Sequence, residues 1–424
     1  MDKVMNCSKP LWFQKTGYEE EMYIFGITTE NLQKVWLKEF FETVKAQKPT
    51  FLALHCQECG GKSLESGVTE VKRFVKELMA AQELKDYSRA RVYIDESYES
   101  PERFTALGCF YFIHDSLKNV LEYNFEDARF HKVTGKEIRS IKQCKSPMAQ
   151  KEKFPANFFE QCQWSRKGFI RTRWSLSSCN FDLVNVHLFH DAHNVVAWKE
   201  SPSYYAGIRR KAMDFVLHRI SDEQHEKLPF FLFGDFNFRL DTRELFEHHL
   251  CYNTKLETIT NSNNEVDKIR YREIGNDQKV ILEVEKKSFN FADPNIFQAN
   301  NGTSLLEYDK ELGAFRDQVD EMEITFPPTY PYSEDVHHAK QYNTTRCPAW
   351  CDRILLSISA KHLMAMPKDK REEEEQENDE NSIVYDNIGP NVCMGDHKPV
   401  FLSFRLPAGK GNPYACTCRC CVVQ

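Results

Sequence analysis

Phe231-Leu-Phe-Gly-Asp-Phe-Asn-Phe-Arg-Leu240 is an apolar run interrupted by a glycine, a carboxylate at Asp235 and a carboxamide at Asn237. The apolar opening reads as a strand. Residues two apart on an extended backbone share a side, so Asp235 and Asn237 can meet at one substrate atom. An Asx turn that closes a buried strand uses the same residue types. The segments that accompany this one decide between the two readings.

Working outward, Pro348-Ala-Trp-Cys-Asp-Arg-Ile-Leu355 places Asp352 and Arg353 at the head of an apolar run where no turn is required. A charge buried there must be paired. Gly395-Asp-His-Lys-Pro-Val400 opens a further strand with Asp396 beside His397. A carboxylate that orients an imidazole is the usual support of a catalytic histidine, which makes Asp352 and His397 a candidate dyad. Glu58 directly follows the apolar run 51–55 and offers a hard oxygen ligand suited to Mg²⁺. Asn185 and His187 fall on one face of the apolar run 181–189. Cys56-Gln-Glu-Cys59 has the spacing of a redox or zinc pair, but the other such pair, Cys418 and Cys421, lies in a cysteine-rich tail and no thioredoxin-like pattern surrounds either. His187, His190 and His193 would share a metal only if the chain turned after Phe189.

Helical spacing covers 30–46, 68–78 and 205–220, and strand-like runs recur at 51–55, 111–113, 181–189, 229–233, 354–357 and 399–404. Such alternation predicts an α/β protein with a large sheet core. The 424 residues are 41% hydrophobic and 28% charged, which excludes fibrous and wholly disordered classes. No run approaches the ~18 apolar residues of a membrane helix. A formal net charge of −7 gives no global attraction for a nucleic-acid backbone, so no nucleic-acid partner is expected and any anionic substrate must be met locally. Residues 368–380, KDKREEEEQENDE, read as a solvated acidic loop inside the domain.

The sequence closes Cys420-Cys421-Val-Val-Gln424. Cysteine four from the end, followed by two aliphatic residues and Gln, is a prenylation box that favours a farnesyl group on Cys421, and Cys420 is a candidate palmitoyl site. Two chains hold a protein at a membrane where one gives marginal attachment. The expected location is therefore the cytoplasmic face of the plasma membrane.

Taken together, Gly234-Asp-Phe-Asn-Phe-Arg-Leu240, Pro348-Ala-Trp-Cys-Asp-Arg-Ile-Leu355 and Gly395-Asp-His-Lys-Pro-Val400 resemble the signature motifs of the inositol polyphosphate 5-phosphatases. With the prenylation box and no extra domains, the resemblance is greatest to the type I branch. It implies a four-layer α/β sandwich of the nuclease-like endonuclease/exonuclease/phosphatase superfamily and Mg²⁺-dependent removal of the 5-phosphate from soluble inositol polyphosphates. It assigns Glu58 and Asp235 to the metal, Asp235 to activation of water, and Asn237 to the water and phosphoryl group. His397, oriented by Asp352, would contact the scissile phosphate, with Asp396 and His187 in the same pocket. Arg353, Arg239, Lys398 and the Lys167 of Ser165-Arg-Lys-Gly-Phe169 are the implied substrate cations, and Arg209, Arg210 and Lys211 on the helix 205–220 offer more.

The resemblance divides the chain into an atypical segment 1–28, a catalytic domain 29–406 and the tail 407–424. Two departures stand out. Relatives begin with a strand that carries an Asn of the metal-site network; residues 1–28 show no such pattern, Asn6 and Asn31 are poor substitutes, and the first strand is expected to be replaced. In Phe326-Pro-Pro-Thr-Tyr-Pro-Tyr332, Pro331 stands where lipid-hydrolysing relatives carry Lys, which points to soluble substrates. The alternatives are a nuclease or phosphodiesterase of the same superfamily, and an impaired, membrane-anchored form that binds inositol phosphates or partners.

Overall fold

The computed structural model describes residues 2–10, 29–59, 64–141, 146–162, 165–221, 225–250, 252–364, 383–389, 391–392 and 395–406. All seven residues of the strand Phe51–Gln57 are buried, and their side chains divide by period two. Phe51 and Ala53 join a core with Tyr111, Ile170, Trp174 and Phe231, whereas Leu52, Leu54 and Cys56 pack against Trp36, Phe40, Val71 and Phe74 of two helices. The strand Phe230–Asp235 divides likewise, Phe231 and Phe233 facing the first core and Leu232 facing a third cluster with Ile208, Ala212 and Val216. Strands buried on both faces lie in the inner layers of a stack, and the apolar runs legible in the sequence are these inner strands.

The first sheet has the order β18-β19-β1-β2-β4-β3-β7, with β1 (Asp2–Pro10), β2 (Phe51–Gln57), β3 (Arg89–Asp95), β4 (Gly108–Ile113), β7 (Lys136–Ile141), β18 (Val384–Asn387) and β19 (Val400–Leu406). The second has the order β16-β17-β11-β10-β9-β5-β6, with β8 also on β9; its strands are β5 (Val120–Asn124), β6 (Arg129–Lys132), β8 (Gln150–Lys153), β9 (Gly168–Leu176), β10 (Cys179–His187), β11 (Phe230–Asp235), β16 (Val319–Glu321) and β17 (Asp352–Ser357). Helices α1 (Thr29–Gln47) and α2 (Leu64–Ala80) cover the outer face of the first sheet, and α4 (Tyr204–Ile220) that of the second, following the short α3 (Asn194–Lys199). In α1 the four-residue spacing of Trp36, Phe40 and Val44 makes the buried stripe. The expected four-layer α/β sandwich is the observed fold. Gly234 is required at its centre: a Cβ there would lie 1.8 Å from the Val186 carbonyl oxygen on β10.

The expectation of a replaced first strand is corrected. Asp2–Pro10 is β1, parallel to β2 and antiparallel to β19, with Asn6 opposite Ala53 and Leu402. Backbone pairing on both sides forms a strand where the sequence shows no alternation, because tertiary context overrides local pattern. A third sheet, β12 (Thr254–Thr260), β13 (Val266–Glu273), β14 (Asn276–Glu285) and β15 (Phe289–Phe291), had no counterpart in the sequence reading. Its strands are rich in charge, with cross-strand pairs such as Arg270 to Glu283 and Arg272 to Glu257, while Ile269, Tyr271, Leu282, Val284 and Phe289 are buried in the main core and Val266, Ile281 and Phe291 pack against it. The remaining helices are α5 (Thr242–Leu250) and α6 (Ile358–Met364). The acidic stretch 368–380, most of the segment 1–28 and the tail with Cys420 and Cys421 lie outside the described residues. Among the described residues, no helix is long and apolar enough to cross a membrane.

Candidate active site

Register brings the distant motifs together. His187 ends β10 and pairs with Asp235, which ends β11 and pairs in turn with Asp352, which begins β17. Three consecutive strands of the second sheet thus place His187, Asp235 and Asp352 in one row at one sheet end. Across from them, Glu58 follows β2 of the first sheet, and 395–398 lead into β19. A buried inter-sheet tie sits beneath Glu58: Gln57 Nε2 donates to Asn185 Oδ1 at 2.6 Å, and Asn185 Nδ2 donates to the Cys56 and Gly108 carbonyls at 3.0 Å each.

The pocket above this row has a volume of about 640 Å³ and is lined by Glu58, Lys167, Asp235, Asn237, Arg239, Asp396 and His397 among others. Asn237 sits at φ 53°, a left-handed conformation that Asn tolerates. That turn lets its own N–H and Nδ2 donate to the two oxygens of Asp235, both at 2.8 Å. Arg239 Nη2 donates to Asn237 Oδ1 at 2.6 Å, and its guanidinium lies 4.4 Å from the centre of the Tyr330 ring. His397 stacks on that ring at 4.4 Å, and its Nδ1 lies 2.8 Å from Asp352 Oδ2. His187 Nε2 is 3.1 Å from Asp235 Oδ2 and 3.8 Å from Glu58 Oε1, and it touches Lys167 Nζ.

Opposite forces act on these buried groups. Burial would lower His397, but the carboxylates of Asp352 and Asp235 raise it from 6.5 to about 9, so the ring is an imidazolium at neutral pH. Burial raises Asp352 to about 6 against the pull of His397. Burial would also raise Asp235, yet His397, the hydrogen bond from His187 and the Lys167 ammonium hold it well below the usual carboxylate range. Burial and Lys167 lower His187, which is therefore neutral.

Asp235, Asp352 and His397 offer ligand atoms within 4.8 Å of one another. The latter two are paired with each other through Asp352 Oδ2, and Asp235 is the member of the group that lines the pocket beside other carboxylates. Glu58 and Asp396 line the same pocket as Asp235, and these three carboxylates are the candidate donors for a divalent metal. Asp396 Oδ1 is buried without a hydrogen-bond partner, and burial together with the Glu58 and Asp235 carboxylates raises Asp396 despite His397. Hard oxygens bearing uncompensated negative charge fit Mg²⁺.

Five cations expected at the substrate are elsewhere, among them Arg210, which is exposed on α4 and does not line the pocket. Arg353 alternates to the far side of β17 from Asp352 and is buried in ion pairs with Asp309 and Glu321. Arg209 is buried between Asp191 and Glu311. Lys211 is exposed on α4 and lies over the Phe158 ring, and buried Lys398 donates to the Val392 carbonyl with its ammonium over Tyr332. Sequence adjacency to a motif placed these cations near the pocket, whereas period-two alternation turned Arg353 away and burial paired Arg209. The zinc and histidine-triad readings find no support among the described residues, because the metal-capable group there contains neither Cys56 and Cys59 nor the three histidines. The sequence reading missed Lys287, Tyr330 and Arg346, which all line the pocket. Tyr330 and Arg346 flank motifs already singled out; Lys287 comes from the unforeseen third sheet and had no signal.

Comparison with known proteins agrees with this geometry. Residues 294–403 match the family described as Endonuclease/Exonuclease/phosphatase family 2. Inositol polyphosphate-5-phosphatase A of Homo sapiens is 54% identical over 396 residues, covering 93% of this chain and 94% of that protein. The probable type I inositol 1,4,5-trisphosphate 5-phosphatase of Caenorhabditis elegans is 34% identical over 409 residues, covering 88% of this chain and 95% of its own. Among solved structures, the inositol polyphosphate 5-phosphatase domain of SpSynaptojanin aligns with a TM-score of 0.49 at 15% identity, over 95% of this chain and 83% of that one. With the motifs on one sheet end and relatives of this identity along nearly the whole length, the chain belongs to the inositol polyphosphate 5-phosphatase family, phosphoric monoester hydrolases of the endonuclease/exonuclease/phosphatase superfamily.

Proposed function

We propose that this enzyme removes the 5-phosphate from inositol 1,4,5-trisphosphate and inositol 1,3,4,5-tetrakisphosphate with Mg²⁺ as its metal, ending calcium signals from the cytoplasmic face of the plasma membrane, where farnesyl on Cys421 and an acyl chain on Cys420 hold it. The observation that carries the catalytic part is the pairing in one pocket of an anion-binding wall with an anionic floor. On the wall stand Lys167, the His397 imidazolium and Arg239, whose Nε and Nη1 are buried with no hydrogen-bond partner in the protein. The floor is Glu58, Asp235 and Asp396.

The roles follow from the geometry. Asp235 is too weak a base to take a proton early, so it aligns the attacking water; a loose phosphoryl-transfer transition state asks for little more. Asn237 fixes both oxygens of that carboxylate, and neutral His187 holds one of them. His397 has Nδ1 committed to Asp352, which leaves Nε2–H for a phosphoryl oxygen. Lys167 and Arg239 offset charge on the same group. A divalent cation held by Glu58, Asp235 and Asp396 would supply neutralisation of phosphoryl charge and stabilise the alkoxide that leaves. The reading of an impaired form rested on a lost first strand, and β1 occupies that place.

The test is phosphate release from inositol 1,4,5-trisphosphate by the purified chain, with and without Mg²⁺, beside Asp235→Ala. Release that needs both is expected; none from a folded protein would refute the proposal. For the anchor, Cys421→Ser should move the protein from membrane to cytosol with activity in detergent extract unchanged, and undisturbed membrane fractionation would sink the lipid reading.

A further inference from the structure

The pocket's volume of about 640 Å³ is far more than one phosphate group fills, and besides His397 it is lined by Arg166, Lys167, Arg239, Lys287 and Arg346. Lys167 and Arg239 touch His187 and Asn237, the immediate neighbours of Asp235. Lys287 touches neither. It lies in the turn between β14 and β15 of the third sheet, lines the pocket with an exposed side chain, and makes no hydrogen bond or ion pair with the described residues.

That turn is not a loose tip. The Glu285 N–H donates to the Ser288 carbonyl at 2.9 Å, and Ser288 Oγ donates back to Glu285 Oε2 at 3.0 Å. The first residue of α3, buried Asn194, clamps it from below: its N–H donates to the Lys286 carbonyl at 3.1 Å, and its Nδ2 donates both to the Ser288 carbonyl at 3.1 Å and to the Thr345 carbonyl at 3.0 Å. The Phe289 N–H donates to the Thr344 carbonyl at 2.7 Å. One buried carboxamide therefore ties the turn that bears Lys287 to residues 344–345 of the pocket wall. An ammonium held at a fixed place, without a protein anion, is what a phosphate away from the reacting centre needs.

We propose that Lys287 is a specificity-determining residue that binds a phosphate of the substrate other than the one removed, and that Asn194 is its positioning residue. The inference rests on the proposed inositol polyphosphate substrate and names the part of the site that reads its remaining phosphates. The third sheet then has a function: it carries one more cation to a pocket that Arg166 and Arg346 also line.

The test uses the full chain and two probes in Mg²⁺ buffer. Inositol 1,4-bisphosphate carries only the phosphates that survive the reaction, and inorganic phosphate stands for the one that leaves. Calorimetry should show Lys287→Ala weakening the bisphosphate about three- to tenfold, as expected of one partly exposed charge-assisted contact, with inorganic phosphate unchanged. Lys287→Arg should restore most of the affinity, and Asn194→Ala should weaken the bisphosphate in the same direction. In turnover of inositol 1,4,5-trisphosphate, Lys287→Ala should raise KM with kcat within about twofold. Equal bisphosphate affinity in wild type and Lys287→Ala would overturn the proposal, as would an equal loss for inorganic phosphate or a fall in kcat at constant KM. A wild-type protein that releases no phosphate would refute the proposed function and leave this inference to be decided by the binding data.

Discussion

Replacing Asp352 by Asn keeps the shape beside His397 and removes the charge. The rise of His397 from 6.5 to about 9 corresponds to about 3 kcal/mol of preference for the imidazolium; the Asp352 carboxylate is its largest source, with Asp235 and Asp396 adding to it against burial. Both side chains are almost wholly buried, so solvent screening takes little from that figure. Without the Asp352 carboxylate the largest upward pull on the ring is gone; Asp235 and Asp396 still favour the imidazolium, so burial brings the ring down from about 9 toward its ordinary value. A smaller fraction of the rings then carries the proton at pH 7.5. The Nδ1–H of the neutral ring would donate to the Asn oxygen, leaving Nε2 to face the phosphoryl oxygen as an acceptor, which adds a further factor, so kcat should fall about 10²-fold at pH 7.5. The assay is phosphate release across pH 6 to 10, coupled to an NMR titration of His397 in metal-free protein. In metal-free protein the wild-type His397 should titrate near 9 and the variant's clearly lower, and the variant should lose activity at a lower pH than wild type. A variant with wild-type kcat at pH 7.5, or a His397 that still titrates near 9, would refute the reasoning.

The same shift has a signature in stability: the folded protein keeps on His397 a proton that the unfolded chain releases above 6.5, so the Tm of metal-free protein should fall as pH rises from 6.5 to 9, and Asp352→Asn should flatten that slope. Asp235→Asn should lower kcat by at least about 10²-fold and weaken Mg²⁺ binding in calorimetry, since it removes the charge shared by water and metal. Arg353→Ala should act on folding rather than on substrate: it strands Asp309 and Glu321 in the interior, costing about 3–5 kcal/mol in urea denaturation, with KM of the surviving enzyme unchanged. Gly234→Ala should be more damaging than a methyl group usually is, because its Cβ meets the β10 backbone, and soluble yield with circular dichroism would show it.

The inner strands were legible because each is an apolar run buried on both faces, and the ends of β10, β11 and β17 were legible because a carboxylate or imidazole at the end of such a run needs a reason. Asp352 and His397 were found in this way, and their side chains meet at 2.8 Å. What failed was inference by adjacency. Arg353 follows Asp352 directly and for that reason points the other way, while Lys398 follows His397 and is spent on a carbonyl and an aromatic face. β1 was not legible, because its strand character comes from the partners it pairs with and not from its own alternation. Nor was the third sheet: its charged residues satisfy one another across strands, and a sequence shows such charges without their partners.

β1 also sets an order of assembly. It lies between β2, whose first residue is Phe51, and β19, whose first is Val400. One of its edges can be satisfied while most of the chain is still unmade; the other waits for a strand nearly four hundred positions away. Contacts of such long range are the slowest to form. During synthesis the middle of the first sheet therefore stays open on one side as the second sheet, the third sheet and their helices are laid down, and the strand that closes it is the one led in by Asp396 and His397. Completion of the sheet and delivery of the last motif fall in one short stretch, so a chain interrupted before residue 395 would lack both.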